Sequence, residues 1–174
     1  EGTGATQSTF TNQALVKTAI ICEGITSLSN SFFSYSTTLT KVTFPSTLRS
    51  IGSRAFFWCS NLKNVSLPAG LTQLGTWSFS LVTIPSIVIP SGITEIPQSC
   101  FSSCYVQNVT FPENLRSIDQ LAFYNNRIVS LHLPASLETI ISTAFYPGPY
   151  LTTITVDSNN RYFESIDNVL FSKD

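Results

Sequence analysis

Four cysteines, one histidine and ten carboxylates are the residues of this 174-residue chain whose types could do chemistry. A zinc set needs closely spaced Cys and His ligands, but Cys22, Cys59, Cys100 and Cys104 lie apart and His132 is the lone histidine. A nucleophilic triad needs a base held by a carboxylate, and acid–base hydrolysis needs two carboxylates on one face. Glu23, Glu95, Glu113, Asp119 and Glu138 are scattered instead. Gly70 and Gly148 have the look of turn glycines, with no basic helix after them to hold a phosphate. The expectation is a non-enzymatic protein with no catalytic residues, no metal and no cofactor.

Composition narrows the class further. Only 11% of residues are charged, against 43% hydrophobic, where about 25% charged is usual. Serine (25) and threonine (21) together make up about a quarter of the chain, so its polar surface is built of hydroxyls. A net charge of −1 argues against nucleic acid, which requires a basic stripe. Thirteen Phe, six Tyr and two Trp argue against disorder. No apolar run reaches the length of a membrane span. The absence of methionine suggests a piece of something longer.

The elements that must position any site emerge from a repeat. Pro45, Pro68, Pro90, Pro112 and Pro134 follow one another at steps of 23, 22, 22 and 22 residues. Cys22 and Asp157 fill the same slot in degenerate end copies. Apolar columns recur six, three and one residues before this slot (Leu39, Val42 and Phe44 in one copy) and three and six after it (Leu48 and Ile51). Eleven after it stands an unbroken column: Phe33, Phe56, Phe79, Phe101, Phe123 and Phe145. The apolar-x-apolar pair before each proline reads as a short strand, and proline, lacking an N–H, ends it. One copy cannot bury its own apolar face, but stacked copies share a core. At a strand spacing of about 4.8 Å, six coils would be about 29 Å long, with the phenylalanines as a buried spine.

Residues 39–59, LTKVTFPSTLRSIGSRAFFWC, and the tail at 159–174, NNRYFESIDNVLFSKD, carry a family likeness. They resemble the repeat and the recurring N-x-x-Y-x-S-x-D-G-V-L-F-x-K-D segment of the BspA-like leucine-rich repeats, with Asn168 in place of the usual Gly. The resemblance covers residues 16–174, leaving 1–15 as a polar leader, an N-terminal cap or cloning residue. It implies an α/β solenoid: a right-handed parallel stack of about six repeats of 22–23 residues, with one short strand per repeat and irregular or short helical turns on the back. It also implies an extracellular or cell-surface setting, an adhesin that binds host matrix proteins, cell-surface proteins or other cells, and a chain that is a fragment of a longer array. The alternative is a structural spacer or stalk displaying another domain. Ice binding by hydroxyl rows is weakened by Val88, His132 and the lysines that interrupt them.

Within this frame Cys59 and Cys104 share a column two coils, or about 10 Å, apart, too far for a disulfide. The cysteines are therefore read as buried thiols used as small hydrophobes. The columns two, four and five before the proline (the last holding Thr40, Lys63, Gln107 and Thr152) are read as turned away from the core, onto the sheet face. The candidate protein-binding residues are thus Lys41, Thr43, Lys63, Asn64, Ser66, Ser86, Val88, Asn108, Thr110, Ser130, His132, Thr153 and Thr155. Asn64 and Asn108 also open glycosylation sequons in one column. Phe57, Trp58, Trp77, Tyr124, Tyr146 and Tyr150 fall off the Phe register and are expected to pack mainly as a second layer on the back.

Overall fold

Alternating apolar residues in copies of equal length can bury one face only by lying on each other, and the chain winds accordingly. The computed structural model describes residues 4–5 and 15–173. The proposed leader at 1–15 therefore lies almost wholly outside the described residues, apart from Gly4–Ala5, which pairs in parallel with Ser27–Leu28, and Leu15. Coil follows coil as a parallel solenoid, and the expected columns form one core: Leu39, Val42, Leu48 and Ile51 of one copy are buried with their counterparts above and below.

Three parallel ladders hold the coils together. The first is the expected strand before each proline, pairing Thr18–Ile20 with Lys41–Thr43, Ser86–Val88 with Asn108–Thr110, and Ser130–Leu133 with Thr153–Val156. The second was not anticipated, because two residues are too few to show a period. It lies five and six residues after the proline and joins Ser27–Leu28, Ser50–Ile51 and Gln73–Leu74, then Glu95–Ile96, Ser117–Ile118 and Thr139–Ile140.

The third ladder takes the place of helix on the back, and no α-helix occurs among the described residues. From nine to fourteen residues after the proline, successive N–H groups alternate in direction. Those of Arg54, Phe56 and Trp58 donate to Thr76, Ser78 and Ser80 of the next coil, while those of Ala55, Phe57 and Cys59 turn back to the carbonyls of Gly52, Arg54 and Phe56. This alternation needs a left-handed backbone at two places per coil. Ser31, Arg54, Trp77, Ser99 and Leu121, and again Tyr35, Trp58, Leu81, Ser103 and Asn125, all have φ between 53° and 63°. Each costs about 1–2 kcal/mol in a residue with a Cβ, offset by the bonds to the next coil and by the ring between them.

That ring is the spine. Phe33, Phe56, Phe79, Phe101, Phe123 and Phe145 stack in one unbroken column, with adjacent centroids 5.1–5.7 Å apart and planes within 27° of parallel. The first five are fully buried and Phe145 partly so. Where coils approach most closely a side chain has no room: a Cβ on Gly75 would lie 2.3 Å from the Ser53 nitrogen.

Both strand ladders are interrupted between the copies framed by Pro68 and Pro90, and the first is also unpaired between Lys41–Thr43 and residues 63–67 and between Asn108–Thr110 and Ser130–Leu133. At the interruption the two ladders share, a further proline occupies a donor position in each. Pro85 stands where Thr40, Gln107 and Thr152 donate to the preceding coil, and Pro97 where Gly52, Asp119 and Ile141 do. Neither has an N–H to give. Residues 63–67 form no strand, and Asn64 turns to φ 34°. The third ladder and the Phe79–Phe101 stack cross the break intact.

The tail folds back as an antiparallel hairpin, Phe163–Ile166 with Val169–Ser172. Its turn residues Asp167 and Asn168 have φ 50° and 64°, the backbone a two-residue hairpin turn requires and Asn tolerates. Asn160 docks the hairpin: its buried Nδ2 donates to the carbonyls of Pro134 and Leu137, and its Oδ1 accepts from the Tyr162 and Phe163 amides. Ser165 Oγ donates to the Ile154 carbonyl, and Lys173 Nζ to that of Asn160.

Two substitutions test this account. Phe101→Ala should lower the unfolding free energy by about 3–5 kcal/mol in a urea melt, and a loss below about 1 kcal/mol would refute the spine. Asn160→Ala should cost about 1–3 kcal/mol, because its buried carbonyl and amide partners lose their bonds.

Candidate functional site

The sheet face is assembled from the first ladder. Because Val42, Ile87 and Leu131 turn inward, their neighbours must point out. Lys41, Thr43, Ser86, Val88, Asn108, Thr110, Ser130, His132 and Thr155 are exposed strand residues, and Thr153 is half-buried. Parallel register sets Ser86 beside Asn108 and Val88 beside Thr110, then Ser130 beside Thr153 and His132 beside Thr155. His132 Nδ1 lies 3.0 Å from Thr155 Oγ1, a hydroxyl partner rather than the carboxylate a catalytic base would need.

The face is not the continuous array that the columns suggested. Lys63, Asn64 and Ser66 are exposed, yet they belong to the unpaired segment opposite Pro85. They leave the first two strands separated from the rest. Of the two sequon asparagines, Asn108 sits in a paired strand and Asn64 in this interruption.

Sequence reading missed two residues beside the interruption. Tyr105 and Arg127 occupy one column, seven residues before Pro112 and Pro134, and the Arg127 guanidinium lies 4.9 Å from the Tyr105 ring centroid. An alignment of that column shows them with Tyr150 on three successive coils, a signal present in the repeat frame but overshadowed by the apolar columns. Together with Lys63, Asn64, Thr83, Pro85 and Gln107 they line an open depression of about 450 Å³.

The off-register aromatics are less buried than expected. Phe57, Trp77 and Tyr124 are half-buried, whereas Trp58, Tyr146 and Tyr150 are exposed. Tyr35 stacks on Trp58 at 6.2 Å and meets Phe57 edge-on at 5.4 Å. The left-handed backbone at Tyr35 and Trp58 turns these two rings outward as the spine ring between the turns points in.

The cysteines are free, and three are buried. They are more than small hydrophobes. Cys59 Sγ donates to the Phe33 carbonyl at 3.0 Å and Cys104 Sγ to that of Phe79 at 2.8 Å. Asn126, in the same column, makes the equivalent bond from Nδ2 to Phe101 at 2.8 Å. In three of the coils this column places a short side chain that bonds the carbonyl behind the spine ring of the preceding coil. Burial pushes the thiols of Cys59 and Cys104 up to about 12 from an ordinary value of 9.0, and raises Cys100 likewise. Cys22 departs from the expectation of burial: it stands on the first coil of its ladder, covered from one side only among the described residues, and is exposed.

A stack of coils with one strand face, turns at the back and a Phe spine is a leucine-rich-repeat solenoid. The profile of the BspA type leucine rich repeat region matches residues 5–84 and 78–173 in six copies, and the chain belongs to that family. Solved structures agree. A leucine rich cell surface protein from Faecalibacterium prausnitzii superposes with a TM-score of 0.72 at 26% identity, over 91% of this chain and 52% of its own. A leucine-rich repeat protein from Eubacterium ventriosum gives 0.55 at 25%, over 93% and 37%. One from Bacteroides ovatus gives 0.55 at 18%, over 90% and 53%, a likeness of fold alone. The chain thus spans between 37% and 53% of the length of these three. No curated protein matches it.

Thiol chemistry tests the arrangement. In the native protein a maleimide at neutral pH should label Cys22 alone, with Cys59, Cys100 and Cys104 reacting only after unfolding. Because the folded thiols are raised, the stability they contribute is complete below about pH 9 and falls as pH climbs toward 12. A urea midpoint that does not fall between pH 8 and pH 10.5 would contradict the burial.

Proposed function

We propose that this chain is a non-enzymatic recognition module displayed at the cell surface, an adhesin-type array that holds a host matrix or cell-surface protein on its sheet face. The observation that carries the reading is the outward face itself. Its side chains are short, uncharged for the most part, and fixed in rank by parallel register on a rigid spine, so a partner meets preformed hydrogen-bonding groups with little ordering cost. Such contacts are weak one by one and gain strength over many coils. The cell-surface protein of F. prausnitzii supports the setting, and the family supports protein as the ligand class. The stalk remains the second reading, favoured by one feature only: the stack of rings that runs through every coil and would keep the array stiff.

Solid-phase binding to immobilised fibronectin and to epithelial cells tests the proposal. The wild-type array should bind saturably. Thr110→Arg combined with His132→Ala and Thr155→Arg, all at exposed positions where stability changes little, should weaken binding about tenfold or more. Binding of the variant equal to wild type would move the site off this face, and no binding by a longer natural array would favour the stalk.

A further inference from the structure

The overall charge of −1 conceals an uneven distribution: the columns before the proline slot carry cations alone, while those after it mix carboxylates with Arg49, Arg54 and Arg116. Glu23, Glu95, Glu113, Asp119 and Glu138 lie one to seven residues after the proline slot. Lys17, Lys41, Lys63 and Arg127 lie four to seven residues before it, where no carboxylate of these coils occurs. The leading edge of the sheet face is therefore basic, while the acidic groups belong to the columns on the far side of the proline. The ion pair among the described residues, Arg116–Glu138, sits on that far side, and neither Lys63 nor Arg127 pairs with a carboxylate there.

Both cations line the depression beside the broken ladder. Pro85 withholds an N–H, residues 63–67 leave the sheet, and the gap is walled by Lys63, Asn64, Pro85, Gln107, Tyr105 and Arg127. The Tyr105 ring lies against the Arg127 guanidinium and restrains it, leaving its outer N–H groups free for a planar acceptor, the geometry that suits a carboxylate. Asn64 and Gln107 add amide donors and acceptors of the kind that bond a peptide backbone. At about 450 Å³ and open at the top, the space admits a few residues of an extended chain.

We propose that this depression is the binding site for an acidic segment of the partner protein, with Lys63 and Arg127 receiving its Asp or Glu carboxylates and Asn64 and Gln107 its main chain. The assignment rests on the recognition role proposed above and gives that role a point of charge contact. Lys41 and Lys17 extend the same basic edge toward the first coils and would steer an acidic chain along it.

Fluorescence anisotropy with a labelled ten-residue Asp/Glu peptide tests the site in the intact chain. The wild type should bind it saturably, with affinity falling as salt rises, and Lys63→Glu with Arg127→Glu should lose about tenfold or more. Tyr105→Leu should weaken binding less, through a freer guanidinium. Both charge variants alter exposed side chains, and a wild-type urea midpoint confirms that they fold. Equal binding of the matching Asn/Gln peptide, or unchanged binding by the Glu variant, would overturn the proposal. Competition by sialyllactose at equal concentration would overturn it in favour of an acidic sugar. Should the peptide bind as stated while fibronectin and cells do not, the acidic-segment site stands and the broader adhesin reading falls. Cell binding that survives the Glu variant, with peptide binding lost, would overturn the assignment of the partner's acidic segment to this depression.

Discussion

The stacked phenylalanine column is the constraint on which the rest of this solenoid depends. Rings 5.1–5.7 Å apart can lie nearly parallel only if successive coils keep the same length and the same rotation. Once they do, every other column falls into line at the strand spacing. The backbone around the ring is organised to permit it: two left-handed residues flank each of the first five phenylalanines at a distance of two, and alternating N–H groups serve the coil itself and its neighbour in turn. The strain of ten left-handed residues is accepted because nine of them donate an inter-coil bond beside a ring fully removed from water. The Cys and Asn donors behind the rings saturate carbonyls that would otherwise be only partly satisfied in the core.

A spine of this kind tolerates interruption elsewhere. Both strand ladders fail between the same two coils, where Pro85 and Pro97 remove donors, and the solenoid continues because the turn ladder and the ring stack pass through. The interruption has a functional consequence. A regular sheet face is flat and, in this chain, nearly neutral; the break supplies its relief and brings cations and an aromatic ring to one place. Polar recognition along an even face and charged recognition at a break are complementary devices, the first adding small increments coil by coil and the second setting register and orientation.

Much of this was legible in the linear chain, and for a physical reason. A solenoid repeats one local problem, so a column in the alignment is a column in space, and the burial of Leu48, Ile51, Phe79 and Leu115 could be read by counting from prolines. The outward assignment of Thr43, Ser86, Asn108, Thr110 and His132 followed from the same alternation. The second ladder escaped because two-residue strands have no period to detect. The turn ladder escaped because left-handed Trp, Tyr and Leu residues contradict their own local preferences, and only the neighbouring coil makes them worthwhile. Trp58, Tyr146 and Tyr150 were assigned to packing on hydrophobicity alone, and the direction of the turns put them in water.

Period and polarity in the chain by themselves determined a parallel stack, its core and its exposed strand face, because equal coil lengths and matched apolar columns admit only that way of burying them. Where the sheet is cut, which rings face out, how the thiols serve the backbone, and which cations share one hollow were decided by the tertiary structure alone. These depend on contacts between residues about 20 or more apart in the chain, such as Arg127 against Tyr105 and Cys104 against Phe79, whose geometry no single coil contains.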